Sequence, residues 1–410
     1  MNEIKEMKYI IKDGNLSLMI AFCLIIVSTV CFYKEESIPL FIIMNVLAGL
    51  IIIAHVVVHR SLKLSVSYFI IWISLLFAVF FIYGLFILKA GVFNADKFAF
   101  MYVQCILLYY IVNQFLQNDN HVQLFAICAS ACAIFCMGML YINEGQTILS
   151  HTGGRLGATL AGNQNSVGMS LGLLSLFVTR YYGKTKKKRY LLLIMLIAAF
   201  MLATGSKKAL VYLLFDGIIL YSYSKDKVAG FLKAVIIIGT VTYAVFCIDF
   251  FYNIIGFRII DMLGTLGFNL KGAQYSYSTT SRLVMLNEAY RFWLENPLFG
   301  GGMNYFFAGT VTGYEYCHSN IMELLCNMGL FGCTLYYIPF FFQLFNRRKY
   351  LIYDKRNANF LRCMSVITLI LGFLAVDYSS TCVSYLMAIY SFAYYEIVLR
   401  ESKRKNIYHK

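Results

Sequence analysis

Residues 38–58 read IPLFIIMNVLAGLIIIAHVVV, an apolar run without a single Asp, Glu, Lys or Arg. A helix of about 20 residues rises about 30 Å, the thickness of a bilayer's hydrocarbon core. In that medium each backbone amide must find its partner within its own segment, so a run of this length reads as a membrane-spanning helix. The same pattern recurs on both sides, near 16–33, 65–88, 99–116, 122–142, 166–182, 190–203, 209–223, 230–250, 319–345, 358–376 and 379–399. The expected fold is therefore all-α and polytopic, with about 12 transmembrane helices in a single membrane domain over residues 1–410. The chain is 60% hydrophobic and only 13% charged. Soluble domains run nearer a quarter charged, so a large aqueous domain is excluded. Lys5, Lys8 and Lys12 precede the first span and no A-x-A site follows it, which reads as a retained first helix.

Charge sets the expected orientation. Of the 35 Lys and Arg, 25 fall in the N-terminal tail, the 59–64, 180–189, 225–233 and 347–362 loops and the C-terminal tail. The other 10 lie on the opposite side of this map. By the positive-inside rule both termini are cytoplasmic, and the long 251–317 loop between the ninth and tenth spans is extracytoplasmic. The run Lys184 to Arg189 abuts a span, so its expected partner is the anionic headgroup layer of the bilayer rather than nucleic acid. The net charge of +15 is mostly a topology signal.

The 251–317 loop is the polar interruption of an otherwise apolar chain. Within it, Ser281–Glu295 reads as a short amphipathic helix, capped by Thr279, Thr280 or Ser281 and stopped by Asn296-Pro297. Leu283, Leu286, Tyr290, Trp293 and Leu294 fall on one apolar face, suited to the membrane–water boundary. Arg282, Glu288, Arg291 and Glu295 stand off that face. Gly300-Gly301-Gly302 permits a tight return of the chain or a close approach of backbone to a ligand. Pro339 sits inside a span, where proline kinks a helix. The twelve cysteines contain no C-x-x-C, and Cys128, Cys132 and Cys136 share one helix face as small packing residues.

Three short segments carry residues able to do chemistry. Arg155 is flanked by Gly153, Gly154, Gly157 and Gly162, with Asn163 and Asn165 close behind; an arginine near membrane depth usually faces an anion. Ser206 and Lys207 lie in Thr204-Gly205-Ser206-Lys207-Lys208, a polar break between two spans on the less basic side. His318 begins a span, followed by Ser319, Asn320 and Glu323. A helix start offers free N–H groups to an anion, and an imidazole there can move a hydroxyl proton. Each also has a structural reading by itself: a snorkelling arginine, an ordinary turn, a histidine that caps its helix.

In this order the segments resemble the O-antigen ligase/polymerase superfamily of bacterial glycan-assembling membrane proteins. The resemblance rests on Arg155-Leu156-Gly157 with Gly162-Asn163-Gln164-Asn165, Thr204-Gly205-Ser206-Lys207, Ser281-Arg282 through Asn296-Pro297-Leu298-Phe299-Gly300-Gly301-Gly302, and His318-Ser319-Asn320 with Gly329-Leu330-Phe331-Gly332. Two departures stand out: Asn-Gln-Asn in place of the family's Asn-Pro-Asn, and Ser206-Lys207 in place of Ser-Arg. Lysine keeps the charge but not the two-pronged fork.

The resemblance implies a glycosyltransferase-type polymerase that acts outside the bacterial cytoplasmic (inner) membrane. It would transfer a polyprenyl-diphosphate-linked glycan onto the next lipid-linked repeat unit, in capsule, exopolysaccharide or O-antigen assembly. It further implies His318 and Arg282 as catalytic groups. Arg155, Lys207, Asn163, Asn165, Ser206, Arg291, Asn320 and Glu323 would bind the diphosphate or sugar. No cofactor or metal is expected, since basic side chains would replace the cation. A flippase and a chain-length regulator are expected partners. A ligase that delivers finished glycan to lipid A-core or another surface acceptor is the alternative. A lipid-linked glycan flippase fits less well, because Asp216 is almost the only charge well inside a span and the polar residues gather on one face.

The orientation is testable by cysteine-accessibility labelling on a cysteine-depleted background. A cysteine placed in the 270s should react with an impermeant maleimide from outside; reaction from the cytoplasmic side alone would invert the topology.

Overall fold

The computed structural model describes residues 15–59, 67–149, 155–161, 163–224, 226–265, 268, 277–311, 313–345, 355–376 and 378–408. Among these the chain is helical, and the β pairing seen is an isolated bridge between Leu88 and Met303. The long helices are α1 (Asn15–Cys31), α2 (Ile38–His59), α3 (Tyr68–Phe86), α4 (Ala95–Leu116), α5 (His121–Leu149), α6 (Gln164–Thr185), α7 (Lys188–Ala203), α8 (Lys207–Ser222) and α9 (Lys227–Cys247). They continue with α10 (Phe257–Thr265), α11 (Tyr277–Glu295), α12 (Asn320–Phe345), α13 (Lys355–Gly372) and α14 (Leu386–Tyr408). Each of the apolar runs read from the sequence coincides with one helix. Among the described residues, seven helices are long and apolar enough to cross a membrane by length and composition. Of the others, α1, α7 and α8 are shorter, while α6 and α13 carry polar and charged residues along their length.

The chain divides into two compact units, Met1–Ser65 with Leu107–Phe257, and Val66–Ile106 with Arg258–Lys410. In the first, α6 packs against α5, α7 and α8, and α1 packs against α2 and α5. Gly172 of α6 lies against the Tyr212 ring of α8, close enough that a side chain there would overlap it. Small residues allow such approach where apolar burial gives no net drive between helices in lipid. The cysteine stripe of α5 meets α1: Cys31 and Cys136 sulfurs are 3.4 Å apart, and the Cys23 thiol points at the Cys128 carbonyl, 3.8 Å away.

In the second unit, α12 packs against α3, α11, α13 and α14. The Ser67 hydroxyl caps α3 and donates to Glu396 of α14 (2.6 Å), so one buried carboxylate inside α14 ties down the start of α3. The feature that shapes this unit is a break in α12 at Gly329 (φ 64°, ψ −166°). Pro339 lies further along the same helix, with no break in its φ/ψ. In an unbroken helix Leu330 and Phe331 would donate to the carbonyls of Cys326 and Asn327. Instead those carbonyls accept from Gly301 N and Gly302 N (both 2.9 Å), while Leu330 N and Phe331 N donate to Pro297 O (2.9 Å) and Leu298 O (3.0 Å). The 297–302 loop thus replaces the missing turn. Its approach leaves no room for a Cβ: at Gly329 it would sit 2.4 Å from the Leu298 backbone, and at Gly300 2.4 Å from that of Asn327 and Met328. The glycine run serves backbone-to-backbone docking, where the sequence had suggested a return loop or a ligand.

The 251–317 region also differs from the sequence reading in detail. It opens with helical structure through Asp249–Gly256 and α10, and α11 begins at Tyr277, ahead of Ser281. The face of α11 that buries is Met285 and Ala289, with Phe292 beside them, packed on Phe306, Cys317 and Cys326. Leu283, Tyr290 and Leu294 remain 44–54% exposed. Both faces are apolar, and the small Ala289 lets that side approach closely while the bulky side stays out.

Gly329→Ala should destabilise the purified protein by about 2–5 kcal/mol, combining backbone strain with overlap. Gly313 is a built-in control, since it has φ +71° with open space around it. Gly313→Ala should cost only about 1 kcal/mol. Thermal unfolding in one detergent, with both variants side by side, checks the ordering.

Candidate functional site

In the first unit the candidate residues gather where α7 ends and α8 begins. The Arg155 side chain is half-buried; its Nε donates to Thr204 O (2.9 Å) and its Nη2 to Asn165 Oδ1 (3.0 Å). Gly205 turns the chain with φ +61°, and a Cβ there would lie 2.8 Å from Arg155 Nε, so the glycine makes room for the guanidinium. Asn163 Oδ1 accepts from Asn165 N (2.9 Å) as the N-cap of α6. Asn163 therefore fixes the helix start, and Asn165 orients the arginine. Ser206 precedes α8 without a side-chain cap; it is fully buried and its hydroxyl has no protein partner. Lys207 is half-buried as the first residue of α8. Gly153, Gly154 and Gly162 lie outside the described residues.

In the second unit Arg282 and His318 share one cluster. Arg282 continues the buried stripe of α11 at one turn before Met285, whereas Arg291 is exposed on the opposite face. The His318 ring packs edge-on against Tyr316 (centroids 4.5 Å) and more distantly against Tyr314 (6.1 Å). The same two phenols lie close enough to Arg282 to interact with its charge. Burial lowers the affinity of Arg282 for its proton, and the tyrosines pull the other way. Arg258 is also lowered, by burial and then by repulsion from Arg282. Burial pushes the Tyr316 phenol up, with Arg282 opposing it. Two guanidiniums within range of each other, partly shielded from water, favour an anion between them.

His318 adopts a left-handed backbone (φ 61°), uncommon for a residue with a side chain and held only where its surroundings fix it. Both neighbours are pinned. Cys317 N donates to Glu323 Oε2 (2.8 Å), and the Ser319 hydroxyl donates to Gly372 O (3.0 Å). Glu323 Oε1 accepts from Asn327 Nδ2 (3.1 Å). Asn320 Nδ2 donates to the Tyr337 hydroxyl (3.0 Å), and its Oδ1 accepts from Tyr378 N (2.8 Å). Glu323 thus holds the backbone next to His318, while the buried Asn320 ties the start of α12 to Tyr337 and Tyr378. Sequence reasoning missed Arg258, Tyr314 and Tyr316. The Tyr-Glu-Tyr-Cys-His run of 314–318 was the available signal, since it places two phenols beside the imidazole.

Residues 156–337 match the family described as O-antigen ligase, a segment running from the residue after Arg155 through most of α12. The match supports the resemblance of this segment to the O-antigen ligase/polymerase superfamily, a family of glycan ligase- and polymerase-type enzymes. Together with the long apolar helices, the match supports a multi-pass membrane protein of polysaccharide biosynthesis. Among curated proteins none matches the chain.

Asn165→Leu removes the acceptor that holds Arg155 and should lower glycan transfer about tenfold or more. Asn165→Gln keeps a neutral amide acceptor on a longer side chain and should lose less than Asn165→Leu. Transfer rates normalised to protein in membranes check the contrast, and equal losses in both would separate Asn165 from the orientation of Arg155.

Proposed function

We propose that this protein is a glycan polymerase of the bacterial inner membrane. It would transfer a polyprenyl-diphosphate-linked chain onto the next lipid-linked repeat unit on the extracytoplasmic side. In this reading all twelve apolar helices cross the bilayer within one polytopic domain, both termini are cytoplasmic, and the 251–317 region faces outward. The observation that carries it is the cluster of Arg282, Tyr316 and His318 in the second unit, within the O-antigen ligase match.

The chemistry follows from charge. Breaking the sugar–phosphate bond leaves a diphosphate whose negative charge grows in the transition state. Arg282, seconded by Arg258, would stabilise that charge; separately, Arg155 and Lys207 give the first unit a patch able to bind a diphosphate. His318 would accept the proton of the acceptor hydroxyl as it attacks the anomeric carbon. Glu323 would support it by holding the backbone at Cys317, and Asn320 by bracing the start of α12. In this account no metal is needed, because the guanidiniums supply the positive charge. Flippase and chain-length regulator are the partners such a reaction would have. Transfer to a different surface acceptor would use the same site and differ in product alone.

With purified lipid-linked repeat units, His318→Ala and Arg282→Ala should abolish polymer formation while the protein stays inserted. Loss of a proton-transfer group typically costs about 10²–10⁴ in rate. Arg282→Lys should also be poor, since a point charge cannot bridge two phosphate oxygens, and Lys207→Ala should be milder. A ladder of long polymer marks a polymerase; a single transfer to an added surface acceptor marks a ligase. Full activity in His318→Ala would overturn its assignment. Loss with chelator, restored by Mg²⁺, would show that a metal takes part.

A further inference from the structure

Near the end of α5, Glu144 is buried (7% exposed) and directs both carboxylate oxygens at the turn that follows Arg155. Oε2 accepts from Gly157 N (2.6 Å); Oε1 accepts from Thr159 N (2.6 Å) and Leu160 N (3.3 Å). These are the amides at the start of the single helical turn Ala158–Ala161, which have no partner within so short a helix. On the other side of the same strip, Leu156 N donates to Ala203 O (3.1 Å) and Arg155 Nε to Thr204 O (2.9 Å). The segment 155–157 is therefore clamped between the end of α7 and the Glu144 carboxylate. Gly157 has φ +105°, and a Cβ there would crowd Val167 (3.1 Å) and the Gln164 backbone (3.2 Å).

We propose that Glu144 is a positioning residue for Arg155, a carboxylate whose charge is spent on backbone amides so that the guanidinium is held ready for diphosphate. The inference rests on the reading of Arg155 as a diphosphate-binding group. A carboxylate is required because three amides converge on two oxygens. Glutamine offers one acceptor oxygen, and its NH₂ would oppose a backbone N–H. Charge-assisted hydrogen bonds are also roughly twice as strong as neutral ones. The residue lies outside the 156–337 match and carries no group that reaches the reacting atoms, so sequence motifs pass over it.

The test uses the full chain in nanodiscs, with undecaprenyl diphosphate as the binding probe. Glu144→Gln should speed amide hydrogen exchange across 155–161 about tenfold and weaken probe binding about tenfold. Arg155→Ala should weaken binding by at least as much. The double variant should bind no worse than Arg155→Ala alone, since Glu144 acts through that side chain. Glu144→Asp keeps the charge with a shorter reach and should be intermediate in both measurements, which preserves the test if the glutamine variant does not fold. Faster exchange with unchanged binding would make Glu144 a scaffold residue only and overturn the proposal. Additive losses in the double variant would overturn it as well, while leaving Arg155 as a diphosphate ligand. Wild-type binding in Arg155→Ala would sink the Arg155 reading itself; a loss in Glu144→Gln alone would then show an effect that bypasses Arg155.

Discussion

The second unit depends on one exchange of backbone hydrogen bonds. A helix broken at Gly329 leaves two carbonyls and two amides without partners, in a segment apolar and long enough to cross a membrane. Hydrocarbon offers nothing to satisfy them, and each would cost several kcal/mol if left bare. The backbone of 297–302 supplies all four partners. That docking fixes where α11 ends, because Asn296-Pro297 leads directly into the loop. It also presses Tyr305 and Phe306 onto α12, where their amides reach Asn327 Oδ1. The loop is held from behind by the Tyr83 hydroxyl on Phe299 O (2.8 Å) and by Lys89 N on Met303 O (3.0 Å). Glycine is needed at both contact points because two backbones meet where a side chain would stand.

The site in this unit inherits its geometry from that arrangement. Asn327, whose carbonyl accepts from Gly302, uses its side chain to bond Glu323 and the Tyr378 hydroxyl. Glu323 in turn holds Cys317 N, next to His318. A chain of buried polar groups thus runs from the helix break to the backbone beside His318. Buried networks of this kind are rigid when complete and costly when one member is lost. The first unit solves a similar problem by other means. There the polypeptide around Arg155 is held by the carbonyls of Ala203 and Thr204, by Asn165 and by Glu144, so that a loop residue is fixed almost as firmly as a helical one.

The contacts described for the arginines of the two patches are with neutral acceptors, with phenols and with another guanidinium. Arg155 donates to a carbonyl and to an amide oxygen, and Arg282 lies near phenols and a second guanidinium. Neutral acceptors orient a guanidinium while leaving its charge to act on an incoming anion.

The sequence by itself determined the helical membrane character, the positions of the apolar helices and the candidate basic residues, because length, hydropathy and charge are properties of contiguous residues. It also located the end of α11, since Asn296-Pro297 is a local stop signal. It did not reveal which face of α11 is buried: both faces are apolar, and the choice is made by Ala289 against α12. Nor did it show that Gly300 and Gly329 are partners, that Arg282 joins Tyr316 and His318 while Arg291 faces away, or that Glu144 grips the turn after Arg155. Each of these pairings joins residues far enough apart in sequence that no local period links them. They exist only because packed helices and their unsatisfied backbone groups bring distant segments into register.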